Sequence, residues 1–423
     1  MLWMDQNRPQ GRIRKKSASH SKLSCSHRHS PIRIFPRMSF EDYVLFLMVW
    51  IGHSALWLVA LNVAYSRPLH RNILKPMRLA VGVIVFGFPF FIWALVGLDF
   101  ATLRGTNLGP AWFALKIYLA ICLAMAIAVI PLFTIIRLLR QMPAQLASRR
   151  SEVIDTVREI GEKPAGDGKY RRLALLPGNQ SFQIEFTELT LHMPELPAAW
   201  DGLTILQLSD LHFTGTPDRR YYELAIKRAM RPGTPDIVAI TGDLIDTDTH
   251  HRWLLPLLSR LDWNEAAFAI LGNHDIWHRP ERIRRRLARL GMTVLDNRWR
   301  TAEIRGETLL AIGHEGPWFQ PEPDLKGSPE AAFKLLLSHT PDNINWARAQ
   351  GINLMLSGHN HGGQIRLPLF GSLFVPSFYS RRYDCGLFHR SPTLLYVNRG
   401  LGGKEPLRYN CRPEITRFTL KKS

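Results

Sequence analysis

The stretch that decides the fold reads INLMLSGHNHGG over residues 352–363. A compact apolar run, interrupted only by Asn353, leads into a short loop that holds two histidines between glycines. Short apolar runs are typical of buried strands, and polar residues beside glycine mark the loop that follows. We therefore predict a buried strand whose end presents His359 and His361.

Four other segments repeat this pattern. Apolar runs at 203–208, 237–240, 267–271 and 333–337 lead into the loops SDLH (209–212), TGD (241–243), GNHD (272–275) and SHTP (338–341). Helical patterns at 221–230, 250–261 and 281–290 lie between several of them. Short apolar strands that alternate with helices predict an α/β domain with buried sheets. Because ligand sites in such sheets gather at the carboxyl ends of strands, we expect the five loops on one rim.

The loops carry oxygen and nitrogen donors that suit divalent metals. The set is Asp210, His212, Asp243, Asn273, His274, His339, His359 and His361. Carboxylate and imidazole donors without thiolate favour Mn, Fe, Zn or a similar divalent ion. Seven of these eight side chains would be enough to hold two ions if one carboxylate bridges them. Two metals about 3.5–4 Å apart clamp a phosphoryl group and lower the pKa of a bridging water, so that hydroxide attacks in line.

In this order the five loops resemble the five blocks of the calcineurin-like metallophosphoesterase superfamily. The resemblance covers about residues 200–400, and the segments 197–203, 358–364, 383–388 and 398–402 resemble its membrane-linked bacterial branch. It implies a β-sandwich flanked by helices, here preceded by transmembrane helices. It also implies two metal ions held by two ligand sets. The first set is Asp210, His212 and His361, the second is Asn273, His339 and His359, and Asp243 bridges them.

The resemblance gives His274 a catalytic role without metal binding. It would face the phosphate, stabilise charge in the transition state and protonate the leaving oxygen. Asp275 could orient the His274 ring, although a hydrogen bond that stabilises the loop is an equal alternative. Arg399 could contact the phosphate, and a structural ion pair is its equal alternative. His314 and Glu315 follow a predicted strand and would lie behind the site or at the surface.

Three long uncharged runs precede this domain, at residues 43–65, 79–98 and 117–136. A bilayer core about 30 Å thick needs roughly 20 helical residues, so each run is long enough to span it. We therefore predict a basic, disordered tail (1–40), a membrane domain (41–140), a polar linker (141–178) and a metallophosphoesterase domain (179–423). The protein is expected to be a multi-pass protein of the bacterial inner membrane, with the bilayer as a partner. Three spans put the tail and the C-terminal domain on opposite sides, and the positive-inside rule does not decide which.

The net charge of +19 first suggests a nucleic-acid partner, because basic surfaces bind phosphate backbones. However, residues 1–40 hold nine Lys and Arg against the single acid Asp5, and about two-thirds of the excess lies in the first third of the chain. The charge therefore indicates contact with anionic lipid head groups, and no nucleic acid is expected. Four cysteines exclude a disulfide scaffold. Cys385 and Cys411 are expected to be free thiols unless the domain faces an oxidising compartment.

Three functions from different classes fit these features. The first is a membrane-anchored dimetal phosphohydrolase acting on a phosphomonoester, phosphodiester or pyrophosphate, with a phospholipid or a nucleotide-linked lipid as candidate substrate. The second is a non-catalytic metal-binding scaffold or sensor, against which the complete ligand set argues. The third is a nuclease, against which the three spans and the short chain after Gly402 argue. Native metals and oligomeric state do not follow from the sequence.

Overall fold

The computed structural model describes residues 39–96 and 110–422. The predicted disordered tail, up to residue 38, and the end of the second apolar run, residues 97–98, lie outside these ranges. Within them, the chain forms a bundle of three long helices followed by a two-sheet domain.

The three N-terminal helices contain the three predicted spans, the second of them up to Val96. They are α1 (Phe40–Tyr65), α2 (Arg71–Val96) and α3 (Pro110–Leu138), and α3 includes a π-helical turn at Met125–Val129. All three are long and apolar enough to cross a membrane. The capping box between Ser39 and Asp42 starts α1. Gly52 lets α1 approach α3 closely, because a Cβ there would lie 1.7 Å from the carbonyl oxygen of Cys122.

The domain after the helices contains two main sheets. The strands are β1 (Leu146–Asp155), β2 (Gln183–His192), β3 (Leu203–Leu208), β4 (Ile237–Thr241), β5 (Ala266–Ile270), β6 (Thr293–Val294), β7 (Trp299–Ile304), β8 (Glu307–His314), β9 (Phe333–Ser338), β10 (Leu354–Ser357), β11 (Arg366–Leu367), β12 (Gly371–Ser372), β13 (Gly386–Arg390), β14 (Thr393–Val397) and β15 (Glu414–Lys421). The first sheet has the order β1-β2-β15-β3-β4-β5-β6 and the second has the order β13-β14-β10-β9-β8-β7. Strands β11 and β12 form a separate hairpin.

The two sheets pack face to face, and helices cover their outer faces. A core that includes Phe268, Leu335 and Phe418 fills the space between the sheets. The helices of the domain are α4 (Thr156–Ile160), α5 (Arg171–Ala174), α6 (Arg219–Ala229), α7 (His251–Leu258), α8 (Pro280–Arg289) and α9 (Ile344–Ala349). Helices α6 to α8 bury apolar faces against the first sheet, and α9 does so against the second. The predicted β-sandwich flanked by helices is confirmed.

The segment 141–178 differs from the expected polar linker. It contains β1, which pairs antiparallel with β2 along its length, as well as α4 and α5. Nearly every residue of β1 is exposed or half-buried, so the strand has no apolar pattern and carries Arg149, Arg150 and Glu152. Edge strands often carry charged side chains, which keep them from pairing with other chains. This charge gives β1 the composition of a linker.

Candidate metal centre

The five predicted loops converge where β3, β4, β5, β9 and β10 end. Strands β3, β4 and β5 are parallel neighbours in one sheet, and β9 and β10 are parallel neighbours in the other. Hydrogen bonds join neighbouring loops within each sheet: the Asp210 amide donates to the Gly242 carbonyl (2.9 Å), and the Gly358 amide donates to the His339 carbonyl (3.0 Å). Between the sheets, the His359 amide donates to Asp210 Oδ1 at 3.1 Å. The predicted rim therefore forms at one edge of the two sheets.

Asp210, His212 and His361 form one group of potential ligands. Their donor atoms all lie within 4.8 Å of one another. Nε2 of His212 lies 3.0 Å from Nε2 of His361, and Asp210 Oδ1 lies 3.5 Å from the latter atom. Two imidazole nitrogens and a carboxylate oxygen at such short separations are suited to holding a divalent ion between them.

Asp243, His339 and His359 form a second group of the same kind. Nε2 of His339 lies 3.3 Å from Asp243 Oδ2 and 3.0 Å from Asn273 Oδ1. The Trp318 ring packs beside this group, with its centroid 4.8 Å from that of His359. The amide oxygen of Asn273 adds a neutral donor to the side of His339.

Asp243 lies between the two groups. Its Oδ2 is 3.3 Å from Nε2 of His339 in the second group and 3.6 Å from Nε2 of His212 in the first. Its other oxygen, Oδ1, accepts the backbone amide of His274 at 2.8 Å. This position fits the bridging role that the resemblance implies for Asp243.

The hydrogen bonds of three histidine rings leave one nitrogen of each free for an ion. Nδ1 of His339 lies 2.8 Å from the Thr241 carbonyl, which leaves Nε2. Nε2 of His359 lies 2.9 Å from the Pro376 carbonyl, which leaves Nδ1. Nδ1 of His212 contacts a carboxylate, which leaves Nε2. Partners of this kind orient metal-binding histidines and select their tautomers.

The carboxylate that contacts His212 belongs to Asp246, which the sequence analysis did not select. Asp246 Oδ2 lies 2.7 Å from Nδ1 of His212, and Oδ1 forms a short contact with Nδ1 of His274. The Asp246 side chain is only 4% exposed. One carboxylate thus orients a potential metal ligand and the predicted catalytic histidine. The sequence signal that could have identified Asp246 is its position, three residues after Asp243 in the same loop.

Asp275 does not have the orienting role that was one of its two expected functions. Its Oδ1 accepts the amides of Leu244 (3.0 Å) and Ile245 (3.1 Å), and its Oδ2 accepts the amide of Gly272 (3.0 Å). Both oxygens are therefore occupied by backbone, and the carboxylate that contacts His274 is Asp246. Asp275 stabilises the loop, because it ties the segments after β4 and β5 together.

Five residues of the two groups have left-handed backbone conformations. The φ angles are 51° at Asp210, 44° at His212, 54° at Asp243, 68° at His359 and 48° at His361. Non-glycine residues in this region store strain, which persists only where surrounding structure holds it and which clusters at functional sites. The strain therefore supports a functional role for these loops.

Glycines beside the ligands allow the loops to pack closely. A Cβ at Gly358 would lie 2.2 Å from Asp210 Oδ2, and a Cβ at Gly272 would lie 2.2 Å from Asp243 Oδ1. Such distances are well inside van der Waals contact. The glycines that flank the histidine and asparagine motifs are thus required, because a larger residue would collide with the ligand side chains.

Burial and charge set the protonation of the ligands. Burial disfavours charge on Asp243, yet the neighbouring imidazoles hold its pKa well below its usual range. Burial lowers the pKa of His359 to about 3, so this ring is neutral near pH 7. At His339 burial is outweighed by Asp243, which raises the pKa to about 9. Because an ion binds the unprotonated ring, binding at His339 would release a proton.

Arg399 forms a structural ion pair, one of its two expected roles. Its guanidinium contacts Glu414 (Nη2 to Oε1, 3.0 Å) and Glu185 (Nη1 to Oε2, 3.1 Å). These carboxylates lie on β15 and β2 and outside the two ligand groups. The buried arginine near the loops is instead Arg408, whose guanidinium donates to the carbonyls of His361 (3.1 Å) and Gly402 (2.5 Å).

His314 and Glu315 are both buried behind the centre, as one expectation had it. Glu315 Oε1 accepts the amide of Leu271 at 2.7 Å, next to the loop of Asn273, and its Oε2 pairs with Arg284 at 2.6 Å. Burial lowers the pKa of His314 to about 4. The His314 carbonyl accepts the His339 amide at 3.3 Å, so both residues support the site from behind. Cys385 and Cys411 are free thiols.

Comparison with known proteins identifies the family that this fold and site define. The family model for calcineurin-like phosphoesterases matches residues 203–363. The metallophosphoesterase YkuE of Bacillus subtilis (strain 168) is 35% identical over 251 residues, which cover 56% of this chain and 86% of the relative. The chain belongs to the calcineurin-like metallophosphoesterases and is a metal-dependent phosphoesterase, a hydrolase of a family that uses divalent metals.

Two further relatives have names that state an activity. The phosphodiesterase YaeI of Escherichia coli (strain K12) is 33% identical over 225 residues, covering 51% of this chain and 81% of the relative. The UDP-2,3-diacylglucosamine pyrophosphatase LpxG of Chlamydia muridarum (strain MoPn / Nigg) is 28% identical over 291 residues, covering 55% and 88%. These similarities favour an enzyme over a non-catalytic metal-binding scaffold.

Proposed function

We propose that this protein is a membrane-anchored dimetal phosphohydrolase that cleaves a phosphoester or pyrophosphate bond in a lipid-borne substrate. The observation that carries the two-ion assignment is the position of Asp243, whose Oδ2 lies 3.3 Å from His339 and 3.6 Å from His212. Mn, Fe, Zn or similar ions fit this donor set, which contains oxygen and nitrogen donors. Bound there, such ions would supply Lewis acidity to the phosphoryl group and lower the pKa of a water.

Each side chain of the site has its own role in the proposed reaction. Asp210, His212 and His361 would hold one ion, Asn273, His339 and His359 would hold the other, and Asp243 would contact both. His274 faces the substrate phosphate and gives a proton to the leaving oxygen. Its Nδ1 contacts Asp246, which orients the ring. This arrangement assigns the orienting role to Asp246 and leaves Asp275 as support for the loop.

The rim of the metal centre contacts the membrane helices, which supports a lipid-borne substrate. The Trp277 ring, three residues after His274, packs edge-on against His70 at the start of α2, with the centroids 4.9 Å apart. The Val375 amide donates to Asn62 Oδ1 on α1 at 3.1 Å, and the next residue, Pro376, contacts His359. The centre is thus within a few residues of the ends of α1 and α2 that face the phosphoesterase domain.

An apolar surface surrounds this contact. We name it the apolar hairpin, and it comprises residues 367–378, which include the β11–β12 turn. Its exposed large apolar side chains are Leu367, Leu369, Phe370, Leu373 and Phe378. Large apolar side chains next to transmembrane helices fit into the interfacial layer of a bilayer. A substrate held in that layer by its acyl chains would present its phosphate to the adjacent metal centre.

We also propose that the protein is a multi-pass protein of the bacterial inner membrane, and the helices support the multi-pass topology. The end of α1 and the start of α2 contact the phosphoesterase domain, as does the end of α3 through an ion pair between Arg137 and Asp384 (2.8 Å). If α1 crosses the bilayer, its first residue lies on the side of the membrane opposite to the phosphoesterase domain. The tail and the domain would then lie on opposite sides, as three spans require.

Hydrolysis of bis-p-nitrophenyl phosphate by the purified full-length protein tests this proposal. We expect turnover with added manganese, its loss on chelation, and its abolition by Asp243→Ala. Asp201→Ala is the matched control, because Asp201 is an exposed carboxylate (49%) that pairs with Lys421. A wild-type protein that stays inert with Mn, Co, Zn, Mg and Fe would contradict the proposal. Vesicle-borne phospholipid and nucleotide-linked lipid substrates then test the lipid part separately.

A further inference from the structure

A cavity lies where the membrane helices meet the phosphoesterase domain. It has a volume of about 350 Å³. Its lining comes from the end of α3, the segment between α3 and β1, and parts of β1, β2, β11, β13, β14 and β15. Of the site residues predicted from sequence, Arg399 alone is in its lining within the part of the chain that the structure describes. Five arginines line it: Arg137, Arg140, Arg149, Arg366 and Arg399.

Two of these arginines share one carboxylate. Asp384 Oδ2 accepts from Nη1 of Arg137 at 2.8 Å and from Nη1 of Arg366 at 2.9 Å. The Asp384 side chain is only 2% exposed, and Ser372 also donates to it. One negative charge therefore faces two positive charges at this side of the cavity.

Glu414, the other acid of the lining, is already paired, and so is Glu185, which contacts two of the lining arginines. Arg399 contacts Glu414 and Glu185, and Arg149 contacts Glu185 at 3.2 Å. Two carboxylates thus balance two guanidiniums on this side. No positive charge is left over among these four side chains.

Arg140 forms no ion pair within the described residues, and the nearby carboxylate of Asp384 is already shared by Arg137 and Arg366. Its guanidinium carbon lies 4.1 Å from the centroid of the Phe388 ring, which holds the side chain in place. Burial lowers the pKa of Arg140. With Arg140 included, five guanidiniums meet three carboxylates, and an uncompensated charge in a partly buried cavity is costly unless an anion joins it.

The position of the cavity suggests which anions can reach it. Arg137 lies in the last turn of α3, which ends at Leu138. Arg140 lies two residues beyond this end of the helix. These residues are therefore at the depth where lipid head groups lie. The guanidinium fork matches the oxygens of a phosphate group, and Leu146 and Leu387 add apolar lining.

We propose that this cavity binds a phosphate-bearing anion, separately from the metal centre. Arg140 and the Arg137–Arg366 pair supply the charge. The phosphate can come from the head group of an anionic phospholipid or from soluble phosphate. Arg366 also donates to the carbonyl oxygen of Gly362 at 3.0 Å, so the ligand would contact a residue that supports the loop of His361.

Native mass spectrometry of the full-length protein in detergent tests the proposal. The probes are dioleoylphosphatidylglycerol, dioleoylphosphatidylcholine and inorganic phosphate. We expect the wild type to retain phosphatidylglycerol in preference to phosphatidylcholine, and Arg140→Gln to bind it roughly tenfold more weakly, since hydrogen bonds to charged groups carry about that much affinity. Arg140→Lys keeps the charge and should bind more tightly than Arg140→Gln.

Arg67→Gln is the matched control. Arg67 is also close to the membrane and also lies over an aromatic ring, that of Phe378 at 5.6 Å, but it is outside the cavity. Phosphate binding that depends on Arg140, without preference for phosphatidylglycerol, would support the site with a soluble ligand. Equal retention of both lipids by the wild type without phosphate binding would overturn the proposal, as would equal loss in Arg140→Gln and Arg67→Gln. Circular dichroism reports whether each variant is folded.

Discussion

Asp246 is the residue whose role in the site depends most on the tertiary structure. Its carboxylate contacts the ring nitrogens of His212 and His274, which lie on loops after two different strands. In sequence it is one acid among several near Asp243, and its position three residues after Asp243 is the one signal that marks it. Its position between two rings makes it the residue that joins a potential metal ligand to the predicted proton donor.

We expect Asp246→Asn to lower metal-dependent hydrolysis of bis-p-nitrophenyl phosphate by about 10- to 100-fold, the usual cost of removing the partner of a metal-binding histidine. An amide has one acceptor oxygen, so it cannot orient both rings. The measurement is kcat together with the manganese concentration at half activity. Asp248→Asn is the control, since Asp248 is 48% exposed. Equal activities of the two variants would show that the contact with His212 and His274 is not needed.

The buried His314 ring makes the stability of the folded protein depend on pH. Burial lowers the pKa of His314 to about 4 from an ordinary value of 6.5. Between these values the unfolded chain binds a proton that the folded chain does not bind, so stability falls as the pH drops through this window. The loss reaches about 3 kcal/mol near pH 4. His314→Gln cannot be protonated and should lose less stability.

Thermal unfolding of the full-length protein between pH 7 and pH 4.5 measures this difference. The unfolding temperature of the wild type should fall more steeply than that of His314→Gln. His389→Gln is the control, because His389 is exposed on β13. If all three profiles have the same slope, His314 is not the group that titrates.

At the scale of elements, the strands with both faces buried were predictable and the strand with exposed faces was not. β3, β9 and β14 have compact apolar sequences because both of their faces are covered. β1 is exposed along most of its length and therefore has the composition of a linker. β15 lies between β2 and β3, although it is the last strand of the chain, and only long-range pairing determines that position.

The loops after these strands depend on glycine for space. In Gly358→Ala the added Cβ would lie 1.9 Å from Ser209 Oγ and 2.2 Å from Asp210 Oδ2, which displaces the loop of His359. Because a displacement of about 1 Å can cost about 100-fold in rate, we expect a loss of that size, with lower bound metal. Metal content and kcat are the measurements. Gly87→Ala is the control, since nothing lies within 4 Å of its Cβ position. Normal metal content and rate in Gly358→Ala would contradict the packing argument.

At the scale of the whole molecule, the helices and the metal centre meet through the apolar hairpin. Its most exposed apolar side chain is Leu369, at 68%. In reconstituted vesicles, a fluorophore on Leu369→Cys should be quenched by brominated lipids, because the side chain would lie in the interfacial layer. A fluorophore on Val153→Cys should not be quenched, since Val153 is exposed (47%) on β1 outside the hairpin.

Labelled wild-type protein corrects this measurement for its own thiols. Equal quenching at positions 369 and 153 would mean that the hairpin does not enter the bilayer. The lipid-borne substrate would then lose its main structural support, whereas the metal centre itself would be unaffected.

The sequence by itself determined the three apolar helices, the alternation of strands and helices, and the set of Asp, Asn and His residues on five loops. These features are local, because each depends on a short run of residues and on the loop that follows it. The tertiary structure decided which partner each polar group has: Asp246 rather than Asp275 for His274, and Glu414 and Glu185 for Arg399. The physical reason is that a hydrogen bond or ion pair joins atoms that approach within about 3 Å only after distant segments have packed.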